Sequence, residues 1–183
     1  MTTYIGIDPG AHGAAVAIDM DSRTISAVPF SKGWGAAACF IEYFCLGYGT
    51  PDRVEVCLER VHSMPNDSKS NAFTFGRNLG IVEGILVSNR LKPTYVEPKA
   101  WQLEFRLGGL PSKKARKHQA MDTAKEIFPD MKITLDLSDA ILICLYKFRQ
   151  ETGNLTNGNR RLYTSSPFQS YRSPVILDPR YEV

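Results

Sequence analysis

Tyr4-Ile-Gly-Ile-Asp-Pro-Gly-Ala-His-Gly-Ala-Ala-Val-Ala-Ile18 decides how this chain folds. Two short apolar runs flank a Gly-rich turn, the pattern of two strands joined by a tight connection. Pro9 fixes its own φ near −65°, while Gly10 and Gly13 admit positive φ or a close backbone approach. At the end of the first strand stands a single carboxylate, Asp8. An apolar strand has little reason to end in a charge unless something needs it there, and a divalent metal or a phosphate is such a reason.

Outward from this hairpin, periodicity gives strands near residues 3–8, 13–19 and 23–29, then a helix over 34–48. A strand over 53–59 ends in Glu59. A long helical pattern covers 71–89, with Phe75, Leu79, Val82 and Leu86 at helical spacing. Residues 92–96 form a short strand, and Pro98 opens a short helix through about 105. Ser112 is placed to cap a helix ending near Phe128-Pro129, and a last helix starts at Asp136. Three consecutive strands followed by strands alternating with helices specify an α/β fold, a mixed sheet of about five strands flanked by helices. One domain is expected over 1–150. Residues 151–183, rich in Gly, Asn, Ser, Thr, Pro and Arg, read as an appendage or tail.

The 183 residues, 43% of them apolar, suffice for one core. No apolar run approaches the roughly 18–20 residues that span a bilayer, and no signal-peptide pattern is expected. Cys39, Cys45, Cys57 and Cys144 form no C-x-x-C pair and sit in apolar surroundings, so buried, reduced thiols and a cytoplasmic setting are expected. The net charge of +3 says less than its distribution. Lys113, Lys114, Arg116, Lys117 and His118 form one block, and Arg160, Arg161, Arg172 and Arg180 decorate the tail. Each cluster is either a solvated face or a phosphate-contacting surface.

Four acids recur in comparable places. Asp8 and Glu59 end strands that are free to lie side by side. Asp136 and Asp139, three apart, share one face of a helix. Taken singly, each has an ordinary role: a turn cap, a partner for Arg60, an N-cap, a first-turn acid favoured by the helix dipole. Brought together, they would repel and raise at least one pKa. A divalent cation relieves that conflict, and hard oxygen ligands select Mg²⁺, with Mn²⁺ as a substitute. Two such ions roughly 3.5–4 Å apart activate water and stabilise a leaving oxygen in phosphodiester cleavage.

Ile5-Gly-Ile-Asp-Pro-Gly10, Cys57-Leu-Glu-Arg-Val61 and Asp136-Leu-Ser-Asp-Ala140 together resemble the acidic motifs of RuvC-type Holliday-junction resolvases, members of the ribonuclease H-like superfamily. The similarity extends through Phe75-Gly-Arg-Asn-Leu-Gly-Ile-Val82 and the region Val96–Met121, covering roughly residues 3–148. The resemblance implies a ribonuclease H-like sheet and a Mg²⁺-dependent endonuclease. As a homodimer, it would make paired symmetric nicks in four-way DNA junctions. It implies Asp8, Glu59, Asp136 and Asp139 as metal-binding and catalytic acids. Lys114 is the best match to an active-site lysine, with Lys113 competing. DNA contacts are implied for Lys113, Lys114, Arg116, Lys117, His62 and Arg77. The cellular members' aromatic after the glutamate is replaced here by His62, followed by Ser63, Met64 and Pro65, so that either His62 or Met64 is a wedge between bases or a packed loop residue. A surplus of apolar residues on the 71–89 helix, among them Phe73 and Val87, gives dimerisation its own motive.

The same acids serve an alternative, a ribonuclease H-like nuclease of broader specificity on branched DNA or RNA-containing substrates. A sugar-kinase-like ATPase would need a duplicated domain and a second phosphate loop, and neither is visible. A non-catalytic DNA-binding module conflicts with four retained acids. Serine or cysteine hydrolysis lacks a nucleophile motif near His12, His62 or His118.

Overall fold

The computed structural model describes residues 2–10, 12–19, 24–47, 53–60, 68–155 and 170–171. His62, Met64, Arg160, Arg161, Arg172 and Arg180 lie outside the described residues. β1 (Thr3–Asp8), β2 (Ala14–Asp19) and β3 (Thr24–Pro29) form an antiparallel meander. After a single 3₁₀ turn and α1 (Trp34–Gly47), β4 (Val54–Glu59) pairs parallel with β1. The helix α2 (Lys69–Ser88) then leads to β5 (Thr94–Val96), parallel to β4. α3 (Pro98–Glu104), α4 (Lys113–Ile127) and α5 (Leu135–Glu151) follow. The sheet order is β5-β4-β1-β2-β3, extended beyond β3 by the two-residue β6 (Ser170–Tyr171). Each expected strand and helix is present, and a piece of the 151–183 segment joins the sheet.

β1 is central and buried along its whole length, so its residues read as a near-continuous apolar run. Its period-two alternation divides the core. Ile5 and Ile7 face a cluster with Val56, Leu58, Phe40, Ile41, Val82 and Leu86, beneath α1 and α2. Tyr4, with Cys57 of β4, faces the opposite cluster, which holds Trp101, Ala120, Ala124 and the apolar length of α5. By the same parity Asp8 and Glu59 belong to this second face. α5 is buried nearly all round because it lies between the sheet and α4. Each fully buried Ile or Leu on it contributes about 1.5–3 kcal/mol.

Two glycines fit the elements together. An added Cβ on Gly6 would lie 2.2 Å from the Cys144 amide nitrogen, so α5 rests directly on the β1 backbone. A Cβ on Gly13 would lie 1.9 Å from the Asp8 carbonyl oxygen. Gly10 and Gly13 are absent from the positive-φ residues, so of the two roles open to them the turn uses close approach. The four cysteines are free thiols; Cys45, Cys57 and Cys144 are buried and Cys39 is half-buried. Burial pushes the Cys57 thiol up to about 12.

Candidate active site

Ile7 pairs with Leu58 in the parallel β1–β4 ladder, so the next residue of each strand, Asp8 and Glu59, stands at the same level of the sheet edge. Parity turns both toward α4 and α5. Asp8 is buried, and its Oδ1 accepts the Gly10 amide at 2.9 Å. The turn-cap role and the site role therefore coexist in one carboxylate. Glu59 Oε1 accepts a hydrogen bond from Trp101 Nε1 at 2.9 Å, which anchors it to α3.

α5 brings in Asp139. The helix begins at Leu135 with Thr134 as its N-cap residue, so Asp136 lies within the first turn rather than capping it. Ser138 Oγ donates to the Leu135 carbonyl at 2.9 Å and closes that turn. Asp139 charges interact with Asp8 and with Glu59. Asp136 stands half-buried three residues earlier on the same helix.

The lysine of the cluster is Lys117. Its Nζ lies 3.7 Å from Asp8 Oδ2 and forms an ion pair with Asp139 Oδ2. Lys113 and Lys114, at the start of α4, are exposed, and the Lys114 carbonyl is bonded by the His118 ring. The resemblance implies Lys117 as a DNA contact and Lys114, with Lys113 competing, as the active-site lysine. Helical phase separates the two: Lys117 continues the stripe of Ala120, Ala124 and Ile127 that packs inward, whereas Lys114 is turned off it. Arg116, half-buried, adds positive charge near Asp139, and Arg77 is exposed on α2. Trp101 was missed entirely; a lone Trp in a short helix carries no local sign that its N–H reaches a carboxylate 42 residues earlier.

The electrostatics follow from three acids sharing one lysine. Burial, then the charge of Asp8, pushes the Glu59 carboxyl up to about 8, against the Trp101 hydrogen bond and Lys117, which favour its charged form. Burial likewise raises Asp139, although Lys117 pulls the other way. Burial alone would lower the Lys117 ammonium, but the charges of Asp139 and Asp8 outweigh it and hold the lysine protonated. Among the described residues, no group of three His, Cys, Asp or Glu side chains is drawn together as ligands of one ion; the Lys117 ammonium stands among the acids instead. The donor chemistry still fits a hard divalent cation, since all three acids are oxygen donors and a single lysine faces them.

No family sequence model matches the chain, and no curated protein does. Solved structures do. Thermus thermophilus RuvC in complex with a Holliday junction substrate superposes with a TM-score of 0.53 over 84% of this chain and 98% of that one, at 15% identity. A further Thermus thermophilus RuvC structure matches with the same TM-score and coverage at 16% identity. This chain has the fold of RuvC. The RuvC-type, ribonuclease H-like sheet expected from the acidic motifs is therefore present, with the antiparallel β1–β3 meander and parallel β4 and β5 in place. Among the described residues, no helix is long and apolar enough to cross a membrane.

Proposed function

We propose that this protein is a metal-dependent endonuclease that resolves four-way DNA junctions by paired symmetric nicks, acting as a homodimer. The observation that carries the reading is the convergence of Asp8, Glu59 and Asp139 with Lys117 at one sheet edge, on a RuvC fold. Asp8, Glu59 and Asp139 would hold Mg²⁺ or Mn²⁺, with Asp136 at the rim of the same helix end. The bound cation would supply Lewis acidity to the phosphate and a water activated for attack.

The chain's own residues prepare that chemistry. The Gly10 amide orients Asp8, and Trp101 Nε1 orients Glu59, so two acids from adjacent strands hold fixed rotamers. Lys117 supplies a protonated group at the acids, suited to negative charge developing on a phosphate. Exposed Lys113 and Lys114 on the same helix, and Arg77 on α2, are suited to contact the DNA backbone, a sequence-independent, salt-sensitive interaction.

The test compares a synthetic four-way junction with matched duplex, splayed-arm and RNA–DNA hybrid substrates, in Mg²⁺, Mn²⁺ or EDTA, beside Asp8→Asn and Asp139→Asn. Paired nicks confined to the junction, lost with EDTA and in both variants, are the expected result. Equal cutting of every substrate would replace it with the broader nuclease. Binding without metal-dependent cutting would remove the enzymatic reading.

A further inference from the structure

We infer that Lys117 is the built-in counter-cation of this site and exchanges with the divalent ion, so that cation binding must expel the lysine from between Asp8 and Asp139. This rests on the metal-dependent reading above and adds what the cation has to displace. The geometry is specific. Asp8 Oδ1 is engaged by the Gly10 amide, which leaves Oδ2 as the oxygen turned toward the site, and that oxygen faces Lys117 Nζ at 3.7 Å. Lys117 Nζ also pairs with Asp139 Oδ2. The ammonium therefore occupies the oxygens that a hard cation would need.

A divalent ion and an ammonium cannot hold the same pair of buried carboxylate oxygens without strong like-charge repulsion. One must leave, and the lysine is free to do so. Its four-carbon stem is flexible, and its side chain is 29% exposed, against 8% for Asp8 and 14% for Asp139. It also comes from α4, while the acids come from β1, β4 and α5, so its side chain can swing away without moving the backbone elements that carry them. Without the cation, Lys117 offsets part of the repulsion among Asp8, Glu59 and Asp139, of which the first is buried and the others half-buried. With the cation, the released ammonium is available to a phosphate beside the site. One residue thus holds the acids together and sets the concentration at which a divalent cation binds.

The test measures Mn²⁺ binding to the full chain without DNA, by titration calorimetry and by the Mn²⁺-induced shift in melting temperature, for wild type, Lys117→Met and Lys117→Arg. Removing the competing charge is expected to tighten Mn²⁺ binding at least about tenfold in Lys117→Met, with a lower melting temperature in EDTA and a larger Mn²⁺ shift. Lys117→Arg, which keeps the charge, is expected to stay near wild type. Unchanged or weaker binding by a folded Lys117→Met would overturn the exchange while leaving the metal-dependent reading intact. If neither wild type nor Lys117→Met binds Mn²⁺, the metal-dependent reading itself fails and the exchange falls with it. Should Lys117→Met not fold in EDTA, recovery of its fold by Mn²⁺ below wild-type saturating concentrations supports the exchange. Failure to recover at any Mn²⁺ concentration overturns it.

Discussion

Gly6 of β1 and Cys144 of α5 touch backbone to backbone, so closely that a methyl group on Gly6 would lie 2.2 Å from the Cys144 amide nitrogen and 2.5 Å from its Cα. No flexible side-chain end stands there to give way. Asp8 lies two residues beyond Gly6, and Asp139 lies five before Cys144, so this contact sets how near the strand's acid comes to the helix's acid. Gly6→Ala is expected to destabilise the fold by at least about 2 kcal/mol through overpacking. Loss of the Asp8–Lys117–Asp139 cluster should accompany it. Urea denaturation and Mn²⁺ affinity check this together, and wild-type values of both would show that the contact is dispensable.

Glu59 gives the site a pH dependence with a definite sign. Its carboxyl moves from 4.5 up to about 8 on folding, because burial and Asp8 disfavour its charge. Between those values, the folded chain holds a proton that the unfolded chain has released. Stability therefore falls as pH rises through this window and levels off above it. In EDTA, the protein is expected to be more stable at pH 5.5 than at pH 8.5, with Glu59 contributing on the order of a few kcal/mol. Glu59→Gln should flatten the slope; a slope that survives the substitution would assign it to other groups.

Trp101 is a positioning residue. Its Nε1 donates to Glu59 Oε1 at 2.9 Å, and the ring is almost fully buried. Trp101→Phe keeps an aromatic ring but removes the donor, so Glu59 loses an interaction that favours its charged form and is no longer held in one orientation. Mn²⁺ affinity should fall roughly tenfold. The midpoint of the Glu59-dependent stability slope should move to higher pH. An effect on stability alone, with both of these unchanged, would make the hydrogen bond merely structural.

Two cations on α5 should respond differently to truncation. Arg149 Nη1 meets Glu104 Oε1 at 2.8 Å, and Glu104 is 2% exposed, so Arg149→Met leaves a buried carboxylate without its guanidinium. A loss of about 3 kcal/mol is expected. Lys147 is itself buried, but its partners Glu55 and Glu151 are 45% and 43% exposed and regain water easily. Lys147→Met is expected to cost less than about 1.5 kcal/mol. Urea denaturation of both variants at neutral pH would show whether the order holds.

Much of the architecture was legible in the chain. Strand and helix positions follow from periods of 2 and 3.6, from Pro98 at the start of α3, and from Ser112, whose Oγ accepts the Ala115 amide at 3.1 Å. These are local signals, set within a turn or two of the residue that carries them. The pairing of Asp8 with Glu59 was also within reach, because two parallel strands with acids at their ends can align them, and parity then turns both to one face.

Three features depended on the tertiary structure. Lys117 rather than Lys114 meets the acids because the rotation of α4 against α5 is fixed by Ala120, Ala124 and Ile127, while Lys113, on the same face one turn nearer the helix start, stays exposed. Asp139 reaches Lys117 and Asp8 because α5 starts at Leu135 and rests on Gly6, which sets the height of its first turns on the sheet. Trp101 reaches Glu59 only because α3 packs on α5 beside β4. The sequence alone determined which residues form each element and which face of a strand each acid takes, since short-range sterics and hydrophobic period decide both. Which side chains meet between elements was decided by packing, because the rotation and height of one helix on another depend on contacts between residues distant in the chain.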